Sequence, residues 1–357
     1  MVRQSDRPSS LTPPGVRFTP YAAARELPHI VVDGAPLPNT LLTLSHWPNN
    51  QSPQVLKRDT STATVFAYLD TPDLHQDIPW VTNNHFDEDG LFSMYALIDP
   101  AAALDHRELL IAASFAGDFG IVAGADSARL VFAIERLSDA DSGLLPAEVY
   151  TASDRVSALY NALLETLPSL LRDCRDGWPR YGDLWASQDE HLAASRALLA
   201  DGVVTLAEFA ALDLAVVRIP AHVRRRTARR YLEDELAAVH PFAINSATQY
   251  SRILKVQGAH YEFQYRYESW VQLATRRVPL RVHLQPLANR LNELEQSGTG
   301  WVAENATDTV PRLHRPDGSP TSIPLDTFLL ELEYALTSAP VAWDPYDWSP
   351  PAGSHPS

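Results

Sequence analysis

Cysteine is nearly absent from this chain: Cys174 stands alone among 357 residues. A lone cysteine excludes an internal disulfide and leaves no second thiol for a zinc or redox pair, so a reducing cytoplasm is expected. Long apolar runs are missing as well. No uncharged stretch approaches the roughly 20 residues that span a bilayer, and the opening "MVRQSDRPSSLTPPG" has no apolar centre of the kind a signal peptide needs. Neither secretion nor a membrane role is expected. Basic residues are in deficit, 29 Lys and Arg against 44 Asp and Glu, and the formal charge of -15 disfavours long nucleic acid as a partner. The chain also lacks a Gly-x-Ser-x-Gly elbow, a Gly-x-x-x-x-Gly-Lys loop and a Gly-x-Gly-x-x-Gly turn. Serine-nucleophile, P-loop and dinucleotide chemistry therefore find no support.

What is present suffices for one large or two ordinary domains, since 45% of the residues are hydrophobic. Residues 1–38, rich in Pro, Ser and Arg, and the Pro-rich 339–357 are expected to be irregular or loosely docked. Between them the pattern predicts an N-terminal α/β lobe over 39–175, a helical connector over 176–210 and a C-terminal α+β lobe over 211–338. The expected class is α/β, an N-terminal sheet flanked by helices with a second α+β lobe. "LLTLSHW" and "IPWVTNNH" read as strands, and "DTSTATVFAYL" as a helix capped by Asp59 or Ser61. "GLFSMYALI" and "DHRELLIAASFA" read as further helices, the second ended by Gly117. Beyond residue 210, "LDLAVVRIP" predicts a strand, "RRRTARRYLEDELAAV" a polar helix and "YSRILKVQGAHYEFQYRYESW" a meander.

Chemistry concentrates in one place, "PWVTNNHFDEDGLFSMYALIDP", where His85, Asp87 and Asp89 fall within five residues between two apolar runs. A strand that ends in such a turn and leaves through a helix puts its polar side chains where open α/β sheets bind ligands. In an extended chain, residues 85, 87 and 89 share one side, so an imidazole and two carboxylates can converge. Convergent N and O ligands suit Mn²⁺ or Mg²⁺. Gly90 permits a sharp turn, and a helix opening at Leu91 would aim its amides at an anion. The blander alternative is a solvated acidic turn. An EF-hand reading fails, because Ala96 stands where that loop needs a bidentate Glu.

The stretch "HFDEDGLFSMYAL" resembles the first motif of the DHH phosphoesterase family, H-x-D-x-D-G-x-x-S-x-x-A-L, through His85, Asp87, Asp89, Gly90, Ser93, Ala96 and Leu97. The resemblance implies that the His and Asp residues ligate a pair of Mn²⁺ ions that activate water against a phosphodiester or phosphoanhydride. It also implies that Asp118, in "FAGDFG", supplies the next acidic ligand and that Ser93 meets substrate. The family's Asp-His-His triplet does not occur; the nearest pair is Asp105 and His106 in "LDHRE".

Other clusters bear on the substrate. Arg224, Arg225, Arg226, Arg229 and Arg230 read as an exposed helix face paired with Glu233, Asp234 and Glu235. In "YEFQYRYESWVQLATRR" one face is aromatic, which predicts core, and the other is polar; if the polar face lines the cleft, Arg266, Arg276 and Arg277 receive an anion. His46 falls beside His85 if their strands are adjacent, with a hydrogen-bonded structural role expected. Together these observations point to a Mn²⁺- or Mg²⁺-dependent hydrolase of a small phosphorylated or nucleotide-like substrate, with His85, Asp87 and Asp89 catalytic. The alternative is a non-catalytic binding or regulatory protein of another bacterial family, which keeps the motif as a structural turn.

Overall fold

The computed structural model describes residues 15–231 and 233–347. The signal-peptide reading and the last Pro-rich residues, 348–357, lie outside them.

Four short strands, β1 (Arg17–Phe18), β2 (His29–Val32), β3 (Thr40–Leu44) and β4 (Trp80–Thr82), form a sheet in the order β1-β4-β2-β3. Every pairing in it is parallel. "HIVV" in β2 is buried along its whole length, as a strand covered on both faces must be. Helices Ser61–Leu69, Glu88–Ile98, Arg107–Phe119, Ala125–Ser138 and Arg155–Arg175 flank this sheet and share one apolar core with it.

The second region is α+β. Strands β5 (Thr205–Phe209) and β6 (Leu214–Ile219) open it, followed by a separate hairpin of β7 (Arg226–Arg230) and β8 (Glu233–Ala237). Then come β9 (Arg252–Gln257), β10 (His260–Tyr265), β11 (Arg281–Val282), β12 (Val302–Ala303), β13 (Arg312–His314) and β14 (Val341–Trp343). The main sheet runs β12-β13-β10-β9-β6-β5 and is antiparallel except where β6 meets β9. Leu254, Val256, Phe263 and Tyr265 face helices Gln285–Leu294 and Leu325–Ser338, so the aromatic face of the meander is core, as its alternation predicted. From the opposite face Ala215, Val217, Ile219 and Ile253 join the core of the N-terminal region. The two regions are therefore welded by apolar packing.

Several elements differ from expectation. The segment 1–38 contains β2, the central buried strand, because "HIVV" is β-branched and apolar enough to outweigh its Pro-rich surroundings. The C-terminal segment carries β14, which pairs with β11 and buries Trp343. The Arg-rich stretch forms the β7–β8 hairpin instead of a helix. Arg229 faces Asp234 directly across the strands at 3.0 Å, so the opposite charges that suggested helical spacing are satisfied by a cross-strand pair. Helix Arg107–Phe119 runs past Gly117 and ends at Gly120, whose φ of +66° supplies the left-handed cap. Among the described residues no helix is long and apolar enough to cross a membrane.

Candidate metal centre

The parallel sheet delivers three side chains to one point from the carboxyl ends of its strands. Asp33 follows β2, His46 lies two residues beyond β3, and His85 three beyond β4. Helix Glu88–Ile98 adds Asp87 from its N-cap and Asp89 from its first turn, and helix Arg107–Phe119 adds Asp118 from its last turn. Two sets result. Ligand-type atoms of Asp33, His46 and Asp89 all lie within 4.8 Å of one another, as do those of Asp33, His85 and Asp87, so Asp33 is common to both.

Each carboxylate oxygen of Asp33 faces one imidazole: Oδ1 lies 3.3 Å from His46 Nε2, and Oδ2 lies 3.3 Å from His85 Nε2. His46 Nε2 is also 3.5 Å from Asp118 and 3.9 Å from Asp89. Second partners set the tautomers. His46 Nδ1 donates to the Asp59 carbonyl at 2.6 Å, and His85 Nδ1 to Asn83 Oδ1 at 3.0 Å, which turns both Nε2 atoms toward the cluster. His85 Nε2 then stands 3.0 Å from Asp87 Oδ2. In the metal-free protein that contact is a hydrogen bond from the protonated imidazole, and a bound cation would take the place of the proton.

The buried part of the cluster is unsatisfied. Asp33 Oδ2, His46 Nε2 and Asp118 Oδ2 are shielded from solvent and have no hydrogen-bond partner beyond their ion-pair contacts with His85, Asp33 and one another. Electrostatics agree with the geometry. Burial and the charge of Asp33 push Asp89 up to about 7, and burial with Asp87 pushes Glu88 up to about 8. Asp118 is raised by burial and by Asp89. Burial would lower His85, yet Asp87 and Asp33 hold it up at about 10. Divalent cations relieve this crowding of acids, and the donor set of imidazole and carboxylate fits Mn²⁺ or Mg²⁺.

Local chemistry explains how these residues are held. Asp33 has a φ of +47°, a left-handed conformation that Asp tolerates and that appears at functional turns. Ser61 Oγ donates to Asp33 Oδ1 at 2.8 Å. Asp89 accepts the Ser61 and Thr62 amides, each at 2.7 Å, and so fills the N-terminus of helix Ser61–Leu69. The Asp118 carbonyl accepts from Arg230 at 2.9 Å and Tyr231 at 2.6 Å, both at the tip of the β7–β8 hairpin. His85 and Asp87 form the open side, with side chains 30% and 20% exposed, and Trp47 packs on the His85 ring at 4.8 Å.

His85, Asp87, Asp89 and Asp118 are thus brought together, and other expectations are corrected. The helix opens at Glu88, where Asp87 caps the Gly90 amide at 2.8 Å, so that end is closed to an anion. Gly90 sits within the helix; it is needed because a Cβ there would lie 2.4 Å from both Asn83 Nδ2 and the Tyr160 hydroxyl. Gly90→Ala should therefore lower stability by about 1–3 kcal/mol through overpacking, read as the urea midpoint. Ser93 is buried, its hydroxyl 3.3 Å from that of Thr62 across two helices. Arg266 is buried in an ion pair with Glu268. Arg277 stacks on Tyr346 at 4.4 Å. Arg276 is half-buried and forms no ion pair among the described residues. His106 begins helix Arg107–Phe119 and belongs to neither ligand set, nor does Asp105.

Sequence reasoning missed Asp33 and undervalued His46. β3 and β4 are separated by β2, so His46 reaches His85 only through Asp33. The signal for Asp33 was available: the apolar run Ile30 to Val32 leads into Asp33-Gly34, the same dipeptide as Asp89-Gly90.

A family described as "Family of unknown function (DUF6687)" has a sequence profile that matches residues 15–347. The chain belongs to this family. No curated protein and no solved structure matches it. All six cluster residues fall inside the span shared with the DUF6687 family.

Proposed function

We propose that this chain is a metal-dependent hydrolase of a small phosphorylated or nucleotide-like substrate, working in the cytoplasm on the pattern of the DHH phosphoesterases. The single observation that carries the reading is the pair of ligand sets meeting at Asp33, with both imidazoles pinned through Nδ1 and turned to the carboxylates through Nε2. Asp33, His46, Asp89 and Asp118 would hold one Mn²⁺ or Mg²⁺ ion, and Asp33, His85 and Asp87 a second. Bound there, such ions lower the pKa of water and polarise a phosphoryl oxygen. Substrate enters from the side of His85 and Asp87, where the cluster meets solvent. Trp47 walls that entrance. Arg276 is the arginine left free to take an anionic group, since Arg266 and Arg277 are engaged elsewhere.

Two measurements test this. Mn²⁺ added to EDTA-stripped protein at a hundred times its Kd should stabilise the fold by about 2.7 kcal/mol, seen as a raised melting temperature. The same protein should then hydrolyse members of a panel of phosphomonoesters and phosphodiesters, and chelation should stop it. Metal binding without turnover on any of them would favour the binding or regulatory alternative, and absence of both would remove the metal reading altogether.

A further inference from the structure

The polar face of the main sheet holds a second cleft, of about 450 Å³, that none of the cluster residues lines. Its floor is set by register. Lys255 on β9 pairs with Glu262 on β10, and the β10–β13 register continues the row to His314. Gln257 and His260 pair in the next row, beside Arg225. Asp234 to Ala237 of the β7–β8 hairpin form the roof. The volume is that of an ordinary small-molecule site.

Most charges lining this cleft are already matched. Glu262 bonds Lys255 at 2.7 Å, and Asp234 bonds Arg229 at 3.0 Å. Arg312 is held by Glu304 at 2.8 Å, and Arg315 by Glu295 at 3.1 Å. The groups left over are mainly donors. Arg225 gives only its Nε, to Gln257 at 2.8 Å, and forms no ion pair among the described residues. His260 Nδ1 and Arg315 Nε are buried without hydrogen-bond partners, and buried His314 Nδ1 has only Glu304 at 4.0 Å; Arg315 as a whole is 95% buried, its other nitrogens given to Glu295 and to the Pro320 and Ser297 carbonyls. On the acidic side only Glu235 remains unmatched. The two imidazoles can turn a donor to a ligand according to tautomer, and Ile219, Leu236 and Tyr261 add an apolar wall.

We infer that this cleft is a binding site for a small oxyanion-bearing molecule of nucleotide size, held by Arg225, His260, His314 and Arg315. The ligand brings the acceptors that these groups lack, and its body lies against the apolar wall. The site is independent of the metal centre in composition.

Calorimetric titration of the full chain in EDTA keeps the test separate from the metal proposal. Adenosine monophosphate, inorganic phosphate and citrate serve as probes, which distinguishes a nucleotide, a bare phosphate and a carboxylate source. Saturable binding of at least one is expected. Arg225→Glu, a change at an exposed position, and His314→Ala should each weaken it about ten- to a hundred-fold, the effect of losing one charge-assisted hydrogen bond. Asp33→Asn should leave it unchanged. Binding by none of the three probes, or binding insensitive to both Arg225→Glu and His314→Ala, would overturn the inference.

Discussion

Asp33→Asn should abolish the stabilisation by Mn²⁺, and it should lower the stability of the metal-free fold as well, because the carboxylate pairs with His46 and His85. The substitution is matched to the site in every respect except charge. Asn accepts the left-handed backbone that residue 33 adopts, at φ +47°, and its Oδ1 can still receive the Ser61 hydroxyl. What disappears is the anion common to both ligand sets. Loss of a partner that merely orients a ligand costs roughly 10–100-fold in metal affinity, so loss of a ligand shared by two ions should exceed that. The thermal shift of about 2.7 kcal/mol at a hundred times the native Kd would then fall to nearly nothing, and hydrolysis with it. Asn83→Ala makes the comparison internal. It removes the acceptor at His85 Nδ1 and should weaken only the outer set, within the 10–100-fold range. An undiminished Mn²⁺ shift in Asp33→Asn would mean that the carboxylates gather for a structural reason, and the catalytic reading would fail with it.

How far the site was readable before the fold depends on where each ligand sits. His85, Asp87 and Asp89 are adjacent in the chain, and a strand, an acidic turn and a helix in succession have local signatures, so their convergence could be argued from spacing. Asp33 and His46 come from other strands, and nothing local to them records that β2 lies between β3 and β4. Parallel pairing through crossovers is a long-range property. The hairpin at 226–237 shows the opposite failure, in which local reasoning was applied and overridden. Arg229 with Glu233 and Arg230 with Asp234 suit helical spacing, but Ala228 and Arg230 turn inward with the period of two that marks a strand. The α/β class itself survived both errors, since it follows from runs of apolar residues long enough to be read without knowing their neighbours.

Arg266 is the residue at which sequence reasoning and structure part most sharply, and its replacement should have a large effect of a different kind. Alternation along β10 placed it on the polar face, ready for substrate. The strand stops at Tyr265, and the Arg266 side chain instead turns inward, where it is fully buried. It pairs with the buried Glu268 at 2.5 Å and donates to the carbonyls of Thr248 at 2.8 Å, Tyr250 at 3.2 Å and Phe119 at 3.3 Å. These contacts tie the end of helix Arg107–Phe119, beside Asp118, to the second sheet. Arg266→Met should cost about 3–5 kcal/mol, the usual penalty for stranding one charge of a buried pair, measured as a loss in urea unfolding free energy. Arg266→Met with Glu268→Leu should recover part of it, because an apolar pair of similar volume removes the stranded carboxylate. Arg276→Ala gives the contrast: half-buried and unpaired, it should shift stability by no more than about 0.5 kcal/mol while weakening the anionic substrate. If Arg266→Met instead unfolded at the native midpoint and impaired only turnover, Arg266 would be a substrate ligand after all, and its buried pairing with Glu268 would not persist in solution.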